Sequence, residues 1–169
     1  MTFLRHAGLV ALLALAAAAL GSDPARAAEG RPIKKIVVNL AFEDAELILK
    51  TEAERQNLNL INILDIKKGM ENRGGTFRPY KIYQFCNLEL GIRIYADAPD
   101  YGAFQLCSVL IYEVQPGRTA LVSARQTWVL GNLPGHRASA GAVAAAREFE
   151  KKIDEIFNAL IEEGKAKGK

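Results

Sequence analysis

Cysteine, histidine, methionine and tryptophan are scarce in this chain: two, two, two and one among 169 residues. Two cysteines cannot build the disulfide framework that holds small coreless secreted domains together. No C-x-x-C, C-x-x-C-H or H-E-x-x-H occurs, so dithiol exchange of the thioredoxin kind, covalent haem attachment and zincin chemistry lack their carriers. Gly74-Gly75 and the pair Gly131 and Gly135 lack the strand-to-helix setting of a phosphate-binding loop. A dominant charge is also missing. The formal net charge is only +3, which points neither to nucleic acid nor to a strongly acidic partner.

What is present begins with an export signature. Arg5 and His6 stand beside the free amino terminus, Ala7 to Leu20 is uncharged and apolar, and Ala25-Arg26-Ala27 puts small residues where a signal peptidase reads. The apolar run makes a helix of roughly 21 Å at 1.5 Å per residue, short of a ~30 Å hydrocarbon core. Residues 1–27 are therefore expected to be a cleaved signal peptide, with Ala28 as the new terminus and a periplasmic or secreted product. No cysteine near the cleavage site could accept a lipid, and no later stretch is apolar enough to span a bilayer. Without Arg5, Arg26 and Asp23, 20 basic residues face 18 acidic ones. Residues 28–164 are expected to form one domain, followed by a basic tail at 165–169.

Hydrophobic periodicity orders that domain. Ile33 to Leu40 reads as a strand. Phe42 to Gln56 has Phe42, Ala45, Ile48, Leu49 and Ala53 at helical spacing, and Asn57 tolerates the left-handed conformation of a helix stop. Leu58 to Ile66, apolar on both faces, predicts a central, covered strand. A short polar turn or helix around 67–73 ends at Gly74-Gly75. Thr76 to Cys86 reads as a third strand, with Pro79 marking an edge or bulge. Asn87 is an N-cap for a helix over 88–96. Ala103 to Val114 and Thr119 to Arg125 predict an antiparallel hairpin about Pro116-Gly117. Residues 126–138 read as a loop. A long helix from about Gly141 to Glu163 carries one apolar stripe, with Glu148 facing Lys152. The order β-α-β-β-α-β-β-α predicts an α+β two-layer sandwich: a roughly five-stranded mixed sheet with helices mainly on one face.

The segments FRPYKIYQFCN and APDYGAFQLCSVLIYE, with FEDAELILK leading into LINILDI, resemble the domain of unknown function 302 family. The resemblance runs from Phe42 to Ala124 and includes the pair Cys86-Asn87 and a second cysteine, Cys107, in an apolar strand. Leu88 and Leu106 stand where the family usually carries prolines, which frees two backbone N–H groups. The resemblance implies a compact α+β domain that is often a homodimer. It implies no established reaction.

Chemistry then rests on a few side chains. Cys86 falls where a strand ends and a helix begins, and helix-start N–H groups favour a thiolate. Cys107 follows after 20 intervening residues, with Gln105 and Val109 on its face. Three readings stay open for the two thiols: inert and buried, joined in a disulfide worth roughly 3 kcal/mol in loop-closure entropy, or functional in redox chemistry or in ligating a soft metal or haem. A parallel crossover would place them at opposite sheet ends, beyond the ~7 Å Cα separation that a disulfide tolerates. The only mature histidine and methionine, His136 and Met70, neighbour neither cysteine, so no metal site is assigned. Aromatic residues crowd the middle of the chain, and Tyr80, Tyr83, Phe104 and Trp128 are candidates to ring an apolar pocket with polar handles. No nucleophile–base pair or carboxylate pair is evident. The expectation is a non-catalytic small-molecule-binding or accessory protein using Cys86, Cys107, Asn87, Tyr80, Tyr83, Phe104 and Trp128. The alternative is a thiol-based redox or soft-metal or haem-handling protein. The ligand or cofactor is not identifiable from sequence, and neither nucleic acid nor a membrane is an expected partner after cleavage.

Overall fold

The computed structural model describes residues 30–104, 107–135 and 137–167. The expected signal peptide, Gln105, His136 and the end of the basic tail lie outside them. Strand β1 (Ile33–Val38) leads to helix α1 (Phe42–Arg55), edge strand β2 (Asn59–Asp65) and the short helix α2 (Ile66–Glu71). Strand β3 (Tyr80–Cys86) and helix α3 (Leu88–Tyr95) follow, then a 3-10 turn at Pro99–Phe104. The hairpin of β4 (Ser108–Gln115) and β5 (Arg118–Ala124), helix α4 (Gln126–Gly131) and helix α5 (Ala140–Lys167) complete the domain.

The five strands lie in the order β1-β5-β4-β3-β2, and all four pairings are antiparallel. The α+β sandwich is as expected, but the sheet is not mixed. The connection from β3 to β4 begins and ends at the same end of the sheet, where Gln84 pairs with Ser108. Helix α3 has eight residues, about 12 Å, and serves as part of a long hairpin loop rather than as a crossover along the strands.

Four further expectations are corrected. Among the described residues β2 is an edge strand, hydrogen-bonded only to β3, and each of its residues is exposed. Apolarity on both faces records a preference for burial that this edge position leaves unmet. Residues 126–131, expected as loop, form α4, whose buried Val129 and Leu130 dock on the core. Residues 99–104, partly expected as strand, form the 3-10 turn, so β4 starts only at Ser108. Helix α5 also runs through Lys165 and Lys167, within the expected tail.

The core lies between one sheet face and the helices. Tyr83, Phe85, Val109, Ile111 and Leu121 project from the sheet against Leu49 of α1, Leu90 and Ile94 of α3, and Phe149, Ile153, Ile156, Phe157 and Leu160 of α5. The three- and four-residue spacing on α5 is the expected stripe. Its last turns approach β1 closely: a Cβ on Gly164 would meet the Asn39 nitrogen at 3.2 Å and the Val38 Cβ at 3.3 Å. Glu148 pairs with Arg93 of α3 at 3.0 Å, and Lys152 donates to the Gln56 carbonyl at 3.0 Å. These contacts between elements replace the expected pairing within the helix.

Candidate functional site

Among the described residues, the sheet face opposite the long helices is apolar and only partly covered. Strand alternation places Val37, Ile82, Leu110, Tyr112 and Val122 there. At one end of this face α2 and the segment 74–79 fold over the sheet and enclose an open cleft of about 620 Å³. Ile66, Met70, Phe77, Tyr80, Ile82 and Tyr112 supply its apolar lining. The rings of Tyr80 and Tyr112, opposite each other across β3 and β4, stack at 5.7 Å. Arg78 and Glu113 face each other across the lining at 3.7 Å.

Local sequence explains this wall. Pro79 has no N–H to give a ladder, so regular pairing begins only at Tyr80. Its carbonyl still accepts from the Glu113 N–H at 2.9 Å. Asp65 ends β2 and caps α2, accepting from the Lys68 N–H at 2.9 Å. Gly74 adopts φ +91°, in the range that glycine enters without steric cost. A Cβ on Gly75 would lie 2.2 Å from the Phe77 ring, so this glycine permits Phe77 to fold back over the cleft. The Gly74-Gly75 pair thus shapes an apolar wall.

A second cleft, about 310 Å³, opens at the other end of β3. Cys86, Asn87, Tyr95 and Cys107 all line it. The antiparallel return brings the two cysteine positions to one end of the sheet, and the Phe85 N–H donates to the Cys107 carbonyl at 2.6 Å. The parallel crossover that would have separated them does not occur. Both are free thiols. Burial, and secondarily the neighbouring Cys86, push the Cys107 thiol up to about 12. Burial and then the two cysteines also raise Tyr95. Asn87 is an N-cap as expected: its Oδ1 accepts from the Leu90 N–H at 3.0 Å, while its Nδ2 donates to the Asn57 carbonyl at 3.0 Å. Asn57 itself has φ +56°, the left-handed stop that ends α1.

The four aromatic candidates do not form a ring. Tyr80 lines the large cleft, whereas Tyr83 is fully buried on the opposite sheet face. Phe104 is 54% exposed at the end of the 3-10 turn. Trp128 lies in α4, half-buried against the core. The physical reason is strand parity: residues 80 and 83 are an odd number apart and point to opposite faces. Tyr80 and Ile82, by contrast, share a face.

Sequence reading passed over Glu46, on α1. It accepts a hydrogen bond from the Tyr83 hydroxyl and bonds from Lys81 Nζ at 3.1 and 3.2 Å. Burial raises the Glu46 pKa, but Tyr83 and Lys81 outweigh it and the net direction is down. Tyr83 is raised, by burial first and then by its bond to Glu46. Each side chain here has its partner, so the group anchors α1 to β3. The pair Lys34-Lys35 reads from sequence as a solvated edge, but the Lys35 ammonium lies 5.3 Å from the centre of the Tyr112 ring. Alternation of Lys34 and Lys35 along β1 was the available signal.

Among the described residues no group of three or more His, Cys, Asp and Glu side chains could hold a metal ion. No described helix is long and apolar enough to cross a membrane.

Comparison with known proteins agrees with this fold. A protein named "Uncharacterized protein" from Aquifex aeolicus (strain VF5) is 25% identical over 84 residues, 50% of this chain and 53% of that protein. The chain thus spans about half the length of this curated relative. The crystal structure of an uncharacterized conserved protein DUF302 from Bacillus stearothermophilus is similar in fold, with a TM-score of 0.66 at 16% identity, covering 76% of this chain and 97% of that one. Residues 34–160 match the family described as Domain of unknown function DUF302. With that match extending from β1 to α5, the chain belongs to the DUF302 family.

Proposed function

We propose that this protein is an exported, non-catalytic small-molecule-binding protein whose site is the apolar cleft between α2, the segment 74–79 and the uncovered face of β3 and β4. The cleft of about 620 Å³ carries the reading. Its size falls within the roughly 300–1,000 Å³ range of ligand pockets, and such sites combine apolar walls with a few polar groups. Here the walls are Ile66, Met70, Phe77 and Ile82; the polar groups are the two stacked tyrosines and the Arg78–Glu113 pair.

The test is the uptake of a neutral apolar fluorophore such as N-phenyl-1-naphthylamine. Wild type is expected to enhance its emission saturably. Phe77→Ser, at a 40% exposed position, is expected to weaken uptake at least fivefold while leaving the circular dichroism spectrum unchanged. Uptake that is absent in wild type, or equal in the well-folded variant, overturns the reading.

Assembly as a homodimer belongs to the same proposal. Along β2 the free sheet edge exposes Leu60, Ile61, Ile63 and Leu64, and an exposed apolar edge is a template for another chain. A native mass spectrum showing only monomer at micromolar concentration would remove that part.

One observation favours the thiol-based alternative: Cys86 and Cys107 line one cleft. A redox or soft-metal or haem role needs a thiolate at neutral pH, and the upward shift of Cys107 opposes that at this one of the two thiols. The apolar cleft therefore takes precedence.

A further inference from the structure

We infer that the ligand class of the apolar cleft is an anionic amphiphile: a single apolar chain bearing one carboxylate. This rests on the binding site proposed above and specifies its chemistry. The cleft is apolar at its centre, and its lining cation, Arg78, is paired with Glu113. Lys35, from outside the lining, sits over the ring of Tyr112, which lines the cleft. Its ammonium has no carboxylate partner among the described residues. Residues 65–78, which build the outer wall, contain Lys67, Lys68, Arg73 and Arg78 against Asp65 and Glu71.

The acids near the cleft are already engaged. Glu71 pairs with Lys67 at 3.7 Å, Glu113 pairs with Arg78 at 3.7 Å, and Asp65 caps α2. A carboxylate arriving at the border between Tyr112 and Lys35 therefore meets an uncompensated cation. A quaternary ammonium there would meet repulsion. The chain of such a ligand would lie between Phe77 and Ile82, where the polar neighbours are the tyrosine hydroxyls, Thr76 and the already paired Arg78 and Glu113. Charge would thus select the head group, and burial would hold the tail.

Calorimetric titration of the full chain with decanoate, 1-decanol and decyltrimethylammonium, each below its aggregation concentration, tests this. Decanoate is expected to bind at least tenfold more tightly than decanol, with decyltrimethylammonium weakest. Lys35→Gln is expected to weaken decanoate three- to tenfold and leave decanol unchanged. Amide chemical shifts should move at Phe77, Tyr80, Ile82 and Tyr112. If decanol binds at this site as tightly as decanoate, or Lys35→Gln has no effect on decanoate, the anionic preference is wrong and the binding site stands. If none of the three ligands moves the cleft resonances, both fall.

Discussion

Cys107 offers a direct test of how the fold treats its two thiols. Its environment holds the pKa at about 12, against an ordinary value of 9.0. At pH 8 that rise lowers the thiolate fraction by about a thousandfold. Nucleophilicity per thiolate rises with basicity, with a Brønsted slope of about 0.4–0.5, and so recovers roughly 20-fold. The net expectation is attack on an aromatic disulfide reagent about 50-fold slower than by the same thiol in the unfolded chain, before any steric exclusion. The Cys86→Ser variant isolates Cys107, and urea supplies the unfolded reference rate. Removing Cys86 takes away the smaller cause of the shift, so most of the retardation should persist. The rate should keep climbing through pH 10 without a plateau. A folded rate within threefold of the unfolded one, or a plateau near pH 9, would refute the burial argument and restore the thiol-based reading. The raised value also fixes a sign for stability. The unfolded chain releases this proton first, so stability is fully present below pH 9 and declines as pH rises towards 12.

Two other expectations concern the supports of the sites. Asn87→Ala removes the cap of α3 together with the bond to the Asn57 carbonyl; chemical denaturation should show a loss of about 1–2 kcal/mol, and a change below 0.3 kcal/mol would mean that neither bond matters. Glu46→Gln should cost about 1–3 kcal/mol at pH 7, because Lys81 loses its anionic partner. Since the wild-type pKa is lowered from 4.5, that contribution is present above the unfolded value and lost as pH falls through the folded one. Melting curves of the two proteins should therefore converge as pH falls below 4.5, and parallel profiles would contradict the assignment.

Local signals marked most elements of this protein, though not α4 or the 3-10 turn, because the information that makes them is local. Ala45, Leu49 and Ala53 mark a helix by spacing alone, Asn57 marks its stop and Asn87 the start of α3, and Pro116-Gly117 marks the hairpin. The family was legible from the two cysteine contexts for the same reason. Tertiary structure alone decided where the strands lie in the sheet. The composition of β2 is that of a covered strand, yet the order β1-β5-β4-β3-β2 leaves it at an edge. A short helix between β3 and β4 reads equally as a crossover or as a long hairpin, and only its packing makes it the latter. That choice brought Cys86 and Cys107 to one end. The apolar cleft combines residues from β3, β4 and the α2 wall, separated by up to about 45 positions, so no periodicity within one element could announce it. Strand parity could have paired Tyr80 with Ile82 and excluded Tyr83. Placing Tyr112 opposite Tyr80, and Lys35 over its ring, required the register between strands, which is set by long-range hydrogen bonding and by burial of the other face.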